Sequence, residues 1–436
     1  MHQLERPLVR SLVEAVSDGT PVLDDVAVSR IFATVTWSVL VEPGDGVAGV
    51  LLESLGADRA LSMLIEGRPP HDWLAACAAE GASSELGVAD LAAACERWRP
   101  RLSSRVVVAA LRAAIHCRAA FVIPTDQAWP ESLDVLGEHA PIGLWLRGDV
   151  GALDHPGGAI AIVGSRDATN YGEHMAMDLA SGLSDRGFAV VSGAAYGIDG
   201  MAHRACLASR GTTIAFLAGG VDRLYPAAHH DLLLRVAASG AIVSELPCGS
   251  SPTKWRFLQR NRLIAAASNA TVVVEAGRRS GSLNTAGHAA ALGRPLGAVP
   301  GPVTSATSAG CHRLLREYDA VCVTSAADVV EMVLGSPDAR VVAASSVSSG
   351  PAAAGPAGLA GPAVPAAAER RRPPESRPAA GADVTRVLDA LSARSPRGVS
   401  DLARRTGMAP RAVAVTLGAL ALEGGAYENE NGWLRN

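Results

Sequence analysis

One stretch limits the fold more than any other: AIAIVGSRDATNYG, residues 159–172, where an apolar run breaks into Gly164-Ser165-Arg166 and a helical pattern follows. The apolar half does not alternate with polar residues, so it reads as a strand buried on both faces, as in a parallel sheet covered by helices. Gly164 lets backbone N–H groups approach a ligand. Arg166 stands where a guanidinium reaches a phosphate held by those groups and by the positive end of the next helix. A single glycine turn of this kind is common in α/β proteins without any ligand, so the assignment depends on its surroundings.

Those surroundings repeat the pattern. Apolar strand segments at 159–163, 189–192, 213–217, 241–244, 271–275, 296–299 and 320–323 alternate with helical segments at 173–185, 198–208, 231–238, 255–267, 283–292 and 326–334. The alternation specifies an α/β fold: an extended Rossmann-like, doubly wound, mostly parallel sheet with helices on both faces. Polar or glycine-rich loops follow the strand ends at Gly164-Ser165-Arg166, Ser192-Gly193, Gly219-Gly220, Ser244-Glu245, Glu275-Ala276-Gly277 and Pro300-Gly301. In a parallel sheet these ends share one edge, so the loops converge on one site.

The densest positive charge, KWRFLQRNR at 254–262, falls on a helix after one of these loops. Cations interleaved with rings suit single-stranded nucleic acid, with phosphates on the cations and bases stacked on the rings. The bland alternative is a solvated helix face with Phe257 and Leu258 in the core. The candidate ssDNA- and phosphate-binding residues are Gly164, Ser165, Arg166, Ser192, Gly193, Gly219, Gly220, Lys254, Arg256, Arg260, Asn261 and Arg262.

Charge sets the scale of any such surface. The formal net charge of −4 over 436 residues gives no whole-molecule attraction to nucleic acid, so binding requires a focused groove. Seven scattered cysteines without a Cys-x-x-Cys pair fit reduced thiols. Without a signal-peptide pattern, lipidation motif or long apolar run, the expectation is a cytoplasmic protein with no membrane partner. The absence of G-x-G-x-x-G, and of an acidic residue shortly after the second strand, argues against a dinucleotide cofactor, and no cofactor or metal is expected. Asp199 and Glu275 read as groups that hold loops rather than as general bases, because no nucleophile with a base partner accompanies them. The chain is therefore expected not to be an enzyme.

Four regions emerge. Residues 1–118 are rich in Ala, Leu, Glu and Arg at helical spacing and read as a small helical domain, with EPGDG at 42–46 as a turn between two short helices. The turn has the form of a helix-hairpin-helix or SAM-like element that grips DNA backbone, but it carries no basic residue, which favours an interaction or spacer bundle. Residues 119–335 form the Rossmann-like unit, whose prolines near 130 and 141 suggest an extended connector ending in a strand. Residues 336–381, dominated by Ala, Pro, Gly and Ser, read as a disordered linker. Residues 382–436 show a winged-helix pattern whose near-neutral balance, seven Arg against six Asp and Glu, favours partner docking or regulation over duplex reading.

The runs GSRDATNYG (164–172), VVSGAAYGIDGMAH (190–203), AGGVDRLYPAAH (218–229), SELPCGSSP (244–252), RNRLIAAAS (260–268) and SGSLNTAGHA (280–289) resemble successive blocks of the DNA-processing protein A family, DprA/Smf. The connector blocks WPESL and PIGLWLRGD resemble it too, so the likeness covers about half the chain. The resemblance implies a homodimeric ssDNA-binding protein that protects incoming ssDNA and loads RecA onto it during natural transformation. It implies phosphate contacts at Gly164, Ser165, Arg166, the Ser192-Gly193 turn and around Lys254, Arg260 and Arg262. Two positions depart from the family pattern: Leu258 stands where a proline often follows Phe257, and Asn284 where an apolar residue is usual. The alternatives are a phosphoribohydrolase-like nucleotide-cleaving enzyme, whose Pro-Gly-Gly-x-Gly-Thr turn is missing, and a scaffold acting through the winged helix.

Overall fold

The computed structural model describes residues 4–17, 23–81, 86–335 and 380–436, and its centre is a nine-stranded sheet. The strands are β1 Ala120–Val122, β2 Leu144–Gly148, β3 Ala159–Val163, β4 Ala189–Ser192, β5 Thr213–Phe216, β6 Ala241–Ser244, β7 Ala270–Val273, β8 Leu296–Ala298 and β9 Val321–Cys322. Their spatial order is β1-β2-β6-β5-β4-β3-β7-β8-β9. Strands β3 to β9 run parallel, and β2 and β1 extend the β6 edge antiparallel. Every residue of β3 to β8 is buried, as their unbroken apolar runs require of a sheet covered on both faces.

Alternate residues of β3 face opposite layers. Ile160 and Ile162 pack with α8 (Asn170–Ser184), α9 (Ile198–Ala208) and α14 (Ala326–Leu334). Ala161 and Val163 pack with α11 (Lys254–Ala266), α12 (Ser282–Ala291) and α13 (Ala309–Glu317). Helix α13, nine residues long, is absent from the sequence reading. Its second residue, Gly310, allows close packing, since a Cβ there would lie 2.6 Å from the Ala276 carbonyl.

The chain before the sheet forms α1 (Arg6–Glu14), α2 (Asp25–Leu40), α3 (Gly46–Leu55), α4 (Ala57–Glu66), α5 (Pro70–Ala79), α6 (Val88–Trp98) and α7 (Ser104–Cys117). Helices α1, α2 and α7 share one apolar cluster with Phe121, Trp145, Ala215 and Ile242 of the sheet, and with Leu233 and Val236 of α10 (His230–Ser239). The rest forms a second cluster around Trp37, Trp73 and Trp98, with Trp37 edge-on to Trp98 at 5.0 Å. No helix among the described residues is long and apolar enough to cross a membrane.

After the chain resumes at residue 380, α15 (Ala380–Ala390), α16 (Val399–Thr406), α17 (Pro410–Leu422) and the antiparallel pair β10 (Ala426–Asn429) and β11 (Gly432–Arg435) build a winged helix around Val387, Leu402, Val413 and Leu417. Of the linker read at 336–381, residues 336–379 lie outside the described residues.

The EPGDG turn between α2 and α3 docks on α11. Asp45 accepts the Ala48 amide at the start of α3 and the Trp98 indole N–H at 3.0 Å. Glu42, 9% exposed, accepts hydrogen bonds from Arg256 Nη2 and Nε at 2.7 and 3.0 Å and pairs with Arg101 Nη2 at 3.0 Å. The Gly44 amide donates to Glu245 Oε1, which also accepts Arg262 Nη2 at 2.8 Å. Burial pushes the Glu42 carboxyl up, but Arg256 and Arg101 outweigh it and hold the carboxyl down to about 2 against an ordinary 4.5. A depressed carboxylate stabilises the fold above its unfolded value, so about 3 kcal/mol present at neutral pH is lost as pH falls from 4.5 towards 2. Glu42→Gln, which leaves buried guanidinium groups unpaired, should cost about 3–5 kcal/mol in urea denaturation at pH 7 and flatten that acid limb.

Candidate nucleic-acid interface

Strands β3 to β6 are laid down to one side of β3, and β7 is then added on the other side. Loops leaving the carboxyl ends of β3 and β7 therefore diverge and open a crevice. A cleft of about 880 Å³ lies there, lined by Gly164, Ser165 and Arg166 after β3, Gly277 and Arg279 after β7, and Lys254, Phe257 and Arg260 of α11.

Within the described residues, the amides of Gly164, Ser165 and Arg166 donate no hydrogen bond to other parts of the protein, so the turn keeps free donors at the cleft. The turn must be glycine because a Cβ on Gly164 would sit 2.6 Å from Ile198. Opposite it, Gly197 at φ 69° brings its backbone onto the Ser165 carbonyl, where a Cβ would lie 2.3 Å away. Arg166 is exposed, its guanidinium 5.3 Å above the Phe257 ring. The start of α8, expected to face the same phosphate, does not line the cleft and already holds an anion: Glu275 accepts the Thr169 amide at 2.9 Å and the Thr169 hydroxyl at 2.7 Å. The helix starts that border the cleft belong instead to α11, at Thr253 and Lys254, and α12, at Gly281 and Ser282.

Of the candidate residues, Gly164, Ser165, Arg166, Lys254, Arg260 and Asn261 come together at the cleft. Asn261 also bonds the Asn284 side chain at 3.1 Å, so the unusual Asn284 has a polar partner. Arg260, 7% exposed, donates to the Phe216 carbonyl at 2.6 Å. Burial, opposed by Asp199 and reinforced by Arg166, brings its guanidinium down to about 10, so it remains cationic at neutral pH. The other six stand apart. Arg256 and Arg262 turn away from the cleft onto Glu42 and Glu245, because a buried guanidinium needs a carboxylate partner more than a solvated one does. Their expected place in an open basic groove is corrected accordingly.

Ser192 is buried and gives its hydroxyl to the Ile162 carbonyl. Gly193 gives its amide to Asp199 and leaves space for Arg260, whose Nη1 a Cβ would meet at 2.0 Å. Gly219 and Gly220 are buried behind the 250–252 segment. These four glycine-loop residues shape the floor without lining the cleft.

Sequence reasoning missed Tyr225 and Arg279. Tyr225 is 50% exposed, lines the cleft and lies 5.8 Å from Phe257. The signal for both was position, since each lies a few residues beyond a strand-end glycine. The acids are already engaged. Asp199, raised by burial, accepts the Gly193 and Ala195 amides, and Glu275 bonds Thr169 and Thr307. Burial lowers His203 to about 3, and its Nδ1 meets the Thr213 hydroxyl, so it stays neutral. Among the described residues no group of three or more His, Cys, Asp or Glu is placed to hold a metal ion.

The family profile of DNA recombination-mediator protein A matches residues 120–334, and that of the DprA winged helix domain matches residues 371–426. A DprA-type DNA processing protein of Mycobacterium tuberculosis is 53% identical over 222 residues, 49% of this chain but only 57% of the relative. The DNA processing protein DprA of Streptococcus pneumoniae is 37% identical over 205 residues, 47% of this chain and 71% of the relative. The X-ray structure of DprA from S. pneumoniae superposes with a TM-score of 0.55 at 28% identity, covering 70% of this chain and 97% of that one. With the glycine turns and the RNR helix now placed in three dimensions, the chain belongs to the DprA/Smf family of DNA-processing proteins.

Proposed function

We propose that the cleft binds the backbone of single-stranded DNA and that the protein acts as a recombination mediator. The carrying observation is the composition of the lining. From the Rossmann unit alone, four cations, Arg166, Lys254, Arg260 and Arg279, face two carboxylates, Asp167 and Asp199, and Asp199 is already spent on backbone amides. Phosphates would rest on the Gly164-Ser165-Arg166 turn and on Lys254, with bases against Tyr225 and Phe257 at about 1–3 kcal/mol each. Mediation then consists of holding the strand by its backbone, protecting it while leaving most bases, those not stacked on these two rings, open for RecA. The RecA step and the homodimer rest on the family resemblance, and the cytoplasmic setting on the seven scattered, unpaired cysteines.

A nucleotide-cleaving reading has less support. Both oxygens of Glu275 are engaged, Oε2 by the Thr169 amide and Oε1 by the Thr169 and Thr307 hydroxyls, so neither is free to activate water. Glu275→Gln should cost about 1–3 kcal/mol in thermal denaturation, and wild type should release no base or phosphate from nucleotides. Turnover that vanishes in Glu275→Gln at unchanged folding would establish the enzyme instead.

Filter binding of labelled oligo-dT tests the cleft. Arg166→Ala should weaken retention about tenfold or more and reduce the slope of log affinity against log salt by roughly 0.7 per lost phosphate contact. Arg256→Ala should leave that slope unchanged and instead lower the unfolding midpoint. Equal binding by folded Arg166→Ala and wild type would remove the cleft from the function.

A further inference from the structure

The winged helix does not merely follow the Rossmann unit; it sits on the rim of the cleft. Asp389 of α15 accepts the backbone amide of Lys254, the first residue of the 13-residue helix α11, at 2.8 Å. Asp389 and Arg435 both line the cleft. Beside them Arg386 stacks over the Trp255 ring at 5.3 Å, and its guanidinium donates to the Thr406 carbonyl. The contact is close on the backbone side too. Gly407, at φ +65°, lies against Glu42 and Arg101, and a Cβ there would come within 2.4 Å of Glu42.

Two features make this contact a competitive one. An amide at the positive end of α11 is an anion position, and here a carboxylate of the same chain takes it. The contact also brings a third guanidinium to a carboxylate already shared by two, because Arg386 approaches Glu42 while Arg256 and Arg101 hold it. Arg386 has its own acid, Asp383, only at 3.9 Å. The docked state is thus held by a few shared polar contacts and the Trp255 ring, which limits its stability.

We propose that the winged helix is an intramolecular competitor for the cleft: Asp389 stands where a nucleic-acid phosphate oxygen would sit at the start of α11, and strand binding displaces the module. The proposal rests on the cleft reading given above. The phosphate reaches the Lys254 amide only when Asp389 leaves, so the module sets an affinity threshold for the strand. Its release frees the face of α15 that carries Arg386.

The test uses the full chain. Asp389→Ala removes the competing carboxylate, and Arg386→Ala loosens the same contact from outside the cleft. Fluorescence anisotropy with labelled oligo-dT should show both variants binding about three- to tenfold more tightly than wild type, the size of one solvent-exposed hydrogen bond lost from the docked state. Without DNA, hydrogen exchange at the first turn of α11 should be faster in both. Binding equal to or weaker than wild type in both variants overturns the competitor, weaker binding meaning that the module completes the cleft. If Arg166→Ala abolishes binding while the two variants match wild type, the cleft stands and only the competitor falls. If Arg166→Ala binds as wild type does, the cleft reading falls, and the exchange data still report the docking.

Discussion

The structure depends on a reversal in the order in which strands join the sheet. Four strands are laid side by side from β3 to β6, and the chain then crosses to place β7 on the opposite flank of β3. Adjacent loops must part at that point, and no local interaction can close the gap. The free amides of the β3 turn, the starts of α11 and α12 and the rings of Tyr225 and Phe257 meet because this reversal puts them on one edge. Glu275 fixes the gap from below by tying the end of β7 to the start of α8, so the β3 turn is held without a ligand.

A second constraint decides which cations face the cleft. Helix α11 carries Lys254, Arg256, Arg260 and Arg262 along one short stretch, and the protein needs some of them for its own packing. Desolvating a guanidinium is costly, so those turned inward acquire carboxylates: Glu42 for Arg256 and Glu245 for Arg262. Both carboxylates also engage the turn between α2 and α3, through Arg101 and the Gly44 amide. The helical region and the Rossmann unit are therefore joined through the same helix that borders the cleft. Lys254 and Arg260 stay on the cleft side, one exposed and one buried beneath Phe257.

Much of the fold was legible in the residues. The strands at 159–163, 189–192 and 241–244 and the helices at 198–208 and 326–334 were placed to the residue, because unbroken apolar runs, glycine stops and helical spacing are local signals. The end of β7 was placed two residues too late, since Val274 still bonds β3 while Glu275 turns to cap α8. Helix α13, only nine residues long, was missed.

The sequence by itself determined the parallel sheet, the glycine turn after β3 and the presence of a basic helix, all properties of short windows of chain. Only the tertiary structure decided what each basic residue does. Arg256 and Arg166 look alike in sequence, yet one is fixed by a carboxylate 214 residues away and the other stands exposed over a ring. It likewise decided that a winged helix more than 100 residues downstream places an acid on the start of α11. Such pairings form between groups distant in the chain, and burial sets their energies, so no local pattern carries them.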